Sequence, residues 1–270
     1  MRKIASIALG LAMMNCGPSG RDRAGGGDDG GTDLVDGGGI ASGDAAVQTF
    51  VYAHTASTLY KVDPETLALS SVGNFPGGVE ITDIAINKFG VMIGISFTAV
   101  YRIDPTTAAC TRLPGGLSGT FNGLSFVPAS QIGLTGDDVL VATRNDDGLV
   151  FQIEPMTGAA TQVGNMGAVA SSGDLVSVEG LGTLQTIDNG VGNDRLAMLA
   201  PNTFTAQMIG SDTGFADIWG VAFWKDKVFG FTQSGQFITI DPTTGVGTLV
   251  QGNGPAWWGA AVTTLAPTIL

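Results

Sequence analysis

Histidine and cysteine are almost absent from this chain. His54 is the only histidine, and Cys16 and Cys110 are the only cysteines. A catalytic triad or a histidine-based zinc site would therefore have to rest on one side chain. If Cys16 is used in processing, as argued below, Cys110 has no partner for an intramolecular disulfide. Its place in an alternating strand indicates a buried, inert thiol rather than a reactive one.

Charged residues are also scarce, and most of them are acidic. They make up 13% of the chain, about half of the usual roughly 25%, and 24 acidic against 12 basic residues give a net charge of −12. Nucleic-acid binding needs a basic surface, so we expect no nucleic-acid partner. The acidic balance favours solubility and attraction of cations.

Long apolar runs are limited to one, near the N-terminus. Met1-Arg2-Lys3 precedes an uncharged apolar stretch from Ile4 to Met14, and Cys16 follows directly. Eleven residues are too few to span a bilayer and suit the apolar region of a signal peptide. The run and its cysteine resemble a bacterial lipoprotein signal, with Met13 and Asn15 where such signals usually carry Leu and Gly or Ala.

The resemblance implies cleavage before Cys16 and lipidation of that residue. The alternative is an ordinary secretory signal with an incidental cysteine. Residues 17–46 are rich in Gly and Asp and have few apolar side chains, which predicts a flexible, extended linker. We therefore predict a signal peptide over 1–15, a lipidated Cys16 with a linker over 16–47, and a folded domain over 48–270.

Glycine and β-forming residues are abundant, and a short phrase recurs five times. The chain has 42 glycines and is 44% apolar, which favours β structure with many turns. Each copy of the phrase places a proline between an alternating apolar segment and a second segment of constant offset, which predicts a β-hairpin. The copies are Asp63-Pro64-Glu65-Thr66, Asp104-Pro105-Thr106-Thr107, Glu154-Pro155-Met156-Thr157, Ala200-Pro201-Asn202-Thr203 and Asp241-Pro242-Thr243-Thr244.

The prolines of these hairpins are separated by 41, 50, 46 and 41 residues. A second signature, Asp or Gly followed by small and apolar residues, also occurs five times and begins an inner strand, here called A, of a four-stranded unit A–B–C–D. Repeats of this length with four strands each predict an all-β fold, a five-bladed β-propeller. The blades are expected at 82–113, 122–164, 173–210 and 219–250, with one composite blade of 258–266 joined to 48–73.

With Ile-Asp-Pro-Thr-Thr-Gly between its last two strands, the repeat resembles extracytoplasmic bacterial β-propellers of the NHL and YVTN-like superfamily. That resemblance covers residues 48–266 and implies fold more than activity, because such propellers serve as binding modules, lyases and hydrolases. It places the D–A and B–C loops together around one mouth of the central channel. The Asp-Pro hairpins lie on the opposite face and are therefore structural.

Aromatic and acidic residues are concentrated in the loops predicted at the channel mouth. Aromatic rings beside Asp and Asn favour sugar or peptide binding, and packing between blades is the alternative for the tryptophans. The carboxylates could serve as the acid and nucleophile of a glycosidase, or Asp83 and Asp174 could cap inner-strand backbone. The candidate ligand-binding residues are Glu80, Asp83, Asp174, Asp217, Trp219, Trp257 and Trp258.

Asp146, Asp147 and Asp188 lie in turn sequences that offer oxygen ligands suited to Ca²⁺, although ordinary turns read the same way. No cofactor is otherwise expected. The sequence predicts a monomeric outer-membrane lipoprotein that binds a glycan, a peptide or an envelope protein without catalysis. A hydrolase or lyase that uses the channel-mouth carboxylates is the alternative.

Overall fold

The computed structural model describes residues 50–188, 190 and 192–269. The predicted signal peptide, Cys16 and the linker lie outside the described residues. Among those residues there is no helix of the length and apolar character that a bilayer span requires.

The described chain folds into twenty strands in five antiparallel sheets of four strands, as predicted. Two short 3-10 helices occur at Pro76–Gly78 and Ala129–Ile132. The strands are β1 Val51–His54, β2 Thr58–Val62, β3 Leu69–Asn74, β4 Asp83–Ile86, β5 Met92–Ile95, β6 Ala99–Ile103, β7 Cys110–Gly116, β8 Phe121–Val127, β9 Val139–Arg144, β10 Leu149–Ile153, β11 Ala160–Asn165, β12 Ala170–Val178, β13 Gly182–Asp188, β14 Arg195–Leu199, β15 Ala206–Asp212, β16 Ile218–Trp224, β17 Lys227–Thr232, β18 Phe237–Ile240, β19 Gly247–Gln251 and β20 Gly259–Ala261.

Each sheet is one blade of a five-bladed propeller. Blade 1 contains β20, β1, β2 and β3, and blades 2 to 5 follow in chain order as β4–β7, β8–β11, β12–β15 and β16–β19. Strands β20, β4, β8, β12 and β16 are the inner A strands. The predicted closure is confirmed, since β20 pairs with β1 with Ala260 opposite Ala53. The two ends of the propeller sequence are therefore held in one sheet.

The recurring Asp-Pro phrase forms the hairpin between the third and fourth strands of a blade. In blade 2, Asp104 Oδ1 accepts hydrogen bonds from the Thr106 backbone N–H at 2.8 Å and the Thr106 hydroxyl at 2.6 Å. The third residue after each proline has a positive φ, which closes the turn in all five copies. Ala200 replaces the acid in blade 4 and the hairpin still forms, so the aspartate stabilises this turn without being required for it.

Neighbouring blades contact one another through these hairpins. Gly115 at the end of β7 donates its N–H to the carbonyl of Thr157 in the hairpin of blade 3 at 2.6 Å. A Cβ on Gly115 would lie 2.5 Å from the same carbonyl oxygen, so only glycine allows this approach. Buried apolar side chains fill the remaining space between blades, for example Leu59 of blade 1 with Ile84 and Met92 of blade 2.

The segment after β20 crosses the end of the channel opposite the predicted mouth. Thr264 donates its hydroxyl to Asp138 of blade 3 at 2.8 Å, and its carbonyl accepts the N–H of Glu179 of blade 4 at 2.9 Å. Thr264 is fully buried by these contacts. Because the segment leaves blade 1 and reaches blades 3 and 4, it covers that end of the channel.

Candidate functional site

Five equivalent positions on the A strands surround the channel axis, and we call them the channel ring. They are the Asp-or-Gly positions of the second sequence signature. Each residue that follows a ring position directs its backbone N–H toward the channel, where no strand lies beside it. Such N–H groups need an acceptor when they are buried. The ring residues are Asp83, Gly123, Asp174, Gly220 and Gly259.

The carboxyl group of Asp83 accepts two of the five N–H groups. Oδ1 accepts the N–H of Ile84 at 2.8 Å, and Oδ2 accepts the N–H of Leu124 in the next blade at 2.6 Å. The side chain is fully buried. Asp83 therefore links the inner strands of blades 2 and 3 across the channel.

The carboxyl group of Asp174 accepts the other three N–H groups. Oδ1 accepts the N–H of Leu175 at 2.6 Å. Oδ2 accepts the N–H of Val221 at 2.7 Å and the N–H of Ala260 at 3.3 Å. Two carboxyl groups thus satisfy one inner-strand N–H from each of the five blades. The interpretation that these residues cap inner-strand backbone is confirmed.

The three glycines of the channel ring lie where there is no space for a Cβ. A Cβ on Gly259 would collide with Asp83 Oδ1 and with His54 Nε2, and a Cβ on Gly220 would lie 2.6 Å from the Gly259 carbonyl carbon. A Cβ on Gly123 would collide with the Thr143 hydroxyl. Packing therefore requires glycine at these three positions.

Burial raises the pKa of both ring carboxyls well above the usual aspartate range. The negative charge of Asp174 and a side-chain hydrogen bond between the two raise the pKa of Asp83 further. The N–H groups that Asp174 accepts lower its pKa, and Asp174 accepts three while Asp83 accepts two, so Asp83 is the member of the pair that takes up a proton more readily.

His54 lies beside this pair at the end of β1. It is fully buried and its Nδ1 donates to the carbonyl of Thr55 at 2.8 Å. Burial lowers the pKa of His54 to about 4, so its imidazole is neutral at pH 7. Its Nε2 is 3.9 Å from Asp83 Oδ1, too far for a hydrogen bond. Asp83, Asp174 and His54 are therefore buried side chains that bond to backbone groups, and His54 Nε2 has no hydrogen-bond partner among the described residues.

A cleft of about 200 Å³ lies directly above the channel ring, on the face of the D–A and B–C loops. The residues immediately before the ring positions contribute five of its lining residues. Trp219 and Trp258 stand with their ring planes at 88° and their centroids 6.1 Å apart. The eight lining residues are Thr82, Phe97, Asn122, Asn145, Ser172, Gly173, Trp219 and Trp258.

Three polar side chains that line the cleft donate hydrogen bonds to oxygen atoms of the protein itself. The hydroxyl of Thr82 donates to the carbonyl of Ile95 at 3.2 Å, and that of Ser172 donates to Asp194 Oδ2 at 2.6 Å. Asn122 donates its amide to the carbonyl of Ser171 at 3.2 Å. Asn122 Oδ1 is buried and has no hydrogen-bond partner within the described part of the chain. Thr82 and Ser172 therefore present oxygen lone pairs rather than hydroxyl protons, while Asn122 keeps a second amide N–H.

The structure separates the three predicted tryptophans. Trp219 and Trp258 line the cleft and are partly exposed, whereas Trp257 is 1% exposed and packs edge-to-face on Tyr60 and Phe231. Trp257 therefore belongs to the core between blades, as the packing alternative predicted for it.

The four predicted carboxylates also separate. Asp83 and Asp174 are buried in the channel ring, while Glu80 and Asp217 are exposed and do not line the cleft. Asp217 adopts a positive φ of 54° directly before β16. The four groups therefore occupy two different environments. Their role as ligand contacts stays a prediction.

Each of the three predicted calcium ligands contacts another group of the protein. Asp147 forms an ion pair with Arg144, and Asp146 Oδ1 is 3.9 Å from Nε of the same arginine. Asp188 Oδ1 accepts the N–H of Gly190 at 2.6 Å. Within 50–188, 190 and 192–269, no group of three His, Cys, Asp or Glu side chains is arranged to hold a metal ion. Calcium binding at these residues stays a prediction.

Asp194 is a buried carboxylate beside the cleft that sequence reasoning placed only in a loop. Its Oδ2 accepts the Ser172 hydroxyl and, at 2.7 Å, the N–H of Ile218. Burial raises the pKa of Asp194 to about 6, and the charges of Asp217 and Asp188 add to the shift. Asp194, Asp217 and Asp188 therefore give this mouth of the propeller a negative potential.

Sequence reasoning missed Thr82, Phe97 and Gly173 as lining residues. Thr82 and Gly173 could have been found from the repeat alignment, because they occupy the position of Trp219 in their own blades. Phe97 is half-exposed in the turn between β5 and β6, and no repeat position marks it. Three other depressions of about 400 to 480 Å³ are lined mostly by turn and strand-edge residues and bring no aromatic pair together.

Known proteins resemble this chain in fold. A structure from work on the de novo evolutionary emergence of a symmetrical protein matches with a TM-score of 0.53 and 14% identity, over 82% of this chain and 100% of its own. A crystal structure of a nidogen/laminin complex matches with a TM-score of 0.50 and 11% identity, over 79% and 97%. The likeness shows the β-propeller fold alone. No protein-family model and no curated protein sequence matches this chain.

The raised pKa of Asp194 predicts a pH-dependent stability. The unfolded-state pKa is about 3.9, so the folded state holds this proton more tightly. The stability that follows is complete below about pH 4 and is lost as the pH rises through about 6. Asp194→Asn stays neutral and keeps an oxygen for both hydrogen bonds. We expect the variant to gain stability over wild type between pH 4.5 and 7.5, by at most about 3 kcal/mol.

Urea unfolding of both proteins at the two pH values measures this difference. Asp241→Asn is the control, because Asp241 is exposed in a hairpin and its pKa is lowered by the N–H groups of Thr244 and Thr243. A difference between wild type and Asp194→Asn that does not change with pH would contradict the assignment.

Proposed function

We propose that this chain is a lipid-anchored β-propeller of the NHL and YVTN-like superfamily that binds a ligand at the cell envelope without catalysis. The ligand is a glycan, a peptide or an envelope protein. The observation that carries the proposal is the cleft of Trp219 and Trp258 above the closed channel. The other three depressions described above bring no pair of aromatic side chains together.

The chemistry of the cleft supports binding. Ligand sites are mostly apolar concavities with a few fixed polar groups, and aromatic side chains supply contact area at low entropic cost. Trp219, Trp258 and Phe97 form the walls, and Thr82, Asn122 and Ser172 are held in place by hydrogen bonds to the protein. Fixed polar groups of this kind give orientation and specificity.

The positions of the carboxyl groups support binding over hydrolysis. Glycoside hydrolysis needs a pair of carboxyl groups about 5 to 9 Å apart that both reach the substrate. Asp83 and Asp174 are fully buried and use their oxygens on five N–H groups. Glu80 and Asp217 do not line the cleft. The eight lining residues of the cleft therefore include no carboxylate pair of the kind that a hydrolase or lyase would use.

The membrane anchor in this proposal rests on the sequence of the N-terminal region. An apolar run that ends at Cys16 and a Gly/Asp-rich linker suit a lipidated residue that holds the propeller away from a bilayer. Two or three acyl chains, including palmitate, anchor a protein stably, whereas one is marginal. We propose an outer-membrane location, where a monomeric propeller faces its ligand through the cleft.

Acylation distinguishes the two cysteines. In bacterial cells grown with labelled palmitate, we expect label on the wild-type chain and on Cys110→Ala, and none on Cys16→Ala. Gel autoradiography and mass spectrometry of the mature N-terminus read this out. Label that persists in Cys16→Ala, or a wild-type chain cleaved at another residue without label, would show an ordinary secretory signal instead.

Ligand binding is tested on glycan and peptide arrays with the full chain carrying Cys16→Ala, with and without Ca²⁺. We expect a bound ligand whose affinity falls roughly tenfold or more when Trp258→Leu is introduced into this chain, because the ligand then loses its contact with one aromatic wall of the cleft. Trp224→Leu is the matched control, since Trp224 lies at the end of β16 away from the cleft and donates to Glu65. Arrays that stay blank in both conditions, or equal binding by both variants, would contradict the proposal.

A further inference from the structure

We infer that the cleft above the channel ring binds an organic ammonium cation. The inference rests on the proposed ligand-binding function and specifies the chemical class of the ligand. It stands on three independent features of the described residues, namely the geometry of two tryptophans, the orientation of the polar lining groups and the charge around the cleft.

The first feature is the pair of tryptophan rings. Trp219 and Trp258 are perpendicular, with centroids 6.1 Å apart. Both indole rings line the same cleft, so a small cation in the cleft can lie within the roughly 6 Å range of cation–π attraction. Phe97 adds a third aromatic side chain to the same cleft. Several aromatic walls around one point are the usual arrangement for recognition of substituted ammonium groups.

The second feature is the supply of oxygen lone pairs. The hydroxyl protons of Thr82 and Ser172 are used on a carbonyl and a carboxylate. Asn122 Oδ1 is buried without a hydrogen-bond partner among the described residues. Two of the four polar lining side chains, Thr82 and Ser172, therefore offer oxygen lone pairs and no hydroxyl proton, which suits a cation and opposes an anion.

The third feature is the absence of basic groups from the lining and the presence of acids behind it. None of the eight lining residues is Lys or Arg. Asp194 contacts Ser172 directly, and Asp217 and Asp188 are close enough to act on its pKa. The whole chain carries a net charge of −12. The surrounding field thus attracts cations toward this mouth and repels anions.

A neutral glycan fits these features less well. The hydroxyl groups of a glycan both donate and accept hydrogen bonds, and Thr82 and Ser172 offer no proton to accept. An ammonium cation can use both the aromatic rings and these oxygens, and its apolar substituents can lie against Trp219, Trp258 and Phe97. The aromatic and hydroxyl groups of the lining therefore favour a cation.

Choline and its neutral isostere 3,3-dimethylbutan-1-ol test the inference, because the two differ in charge and hardly in shape. Titration calorimetry uses the full chain carrying Cys16→Ala. We expect choline to bind roughly tenfold or more tightly than the isostere, since cation–π attraction in a desolvated site reaches about 2 kcal/mol. Ethanolamine, which keeps the charge and adds N–H donors, is expected to bind more tightly than the isostere as well.

Variants place the binding in the cleft. Trp219→Leu and Trp258→Leu are each expected to weaken choline binding roughly tenfold, and Trp224→Leu to change it less than about twofold. Thermal unfolding of each variant verifies that it is folded. If one cleft variant does not fold, the other variant and the comparison of choline with its isostere on the unsubstituted cleft still decide the question.

Three results separate this inference from the proposed function. If neither choline nor ethanolamine binds more tightly than the neutral isostere, the inference is overturned. If an array ligand nevertheless binds and depends on Trp258, the proposed function stands without it. Phosphatidylcholine vesicles distinguish the source of the cation, because Trp258-dependent co-sedimentation indicates a lipid headgroup and its absence with retained choline binding indicates a soluble cation.

Discussion

The structure depends on how five inner-strand N–H groups are satisfied where a propeller has no further strand to offer. An unpaired strand edge inside a protein is costly because buried N–H groups need acceptors. Here the carboxyl groups of Asp83 and Asp174 accept all five, one from each blade. The two side chains therefore tie the blades together at the axis, in addition to the β20–β1 pairing at the chain ends.

The same bonds determine where function can lie. Asp83, Asp174 and His54 are fully buried beside the axis, and Thr264 is fully buried at its far end, so none of these four side chains is exposed on the loop face. The residues one step before the channel ring are then the deepest side chains that reach solvent on the loop face. In this chain two of them are tryptophans, which makes the floor of the mouth an aromatic cleft.

Much of the fold could be predicted from the sequence, because hairpins of constant length repeat at nearly constant intervals and identify the blades and their closure. The site could be predicted only in part. Asp83 and Asp174 had two open roles, since a carboxylate that caps backbone and one that contacts a ligand look alike in sequence. Trp257 and Trp258 are adjacent and of the same residue type, so residue type does not tell which one is buried. Phe97 reaches the cleft from a turn that carries no repeat signal.

Amide hydrogen exchange, measured residue by residue with NMR, tests most directly whether two carboxyl groups at the channel axis accept these five N–H groups. We expect the five amides to exchange as slowly as the amides paired between strands, because breaking their hydrogen bonds to Asp83 and Asp174 requires global unfolding. If the five amides exchange as fast as exposed hairpin amides while the strand-paired amides stay protected, water reaches them in the channel. That result would contradict the five hydrogen bonds to Asp83 and Asp174. The five amides are those of Ile84, Leu124, Leu175, Val221 and Ala260.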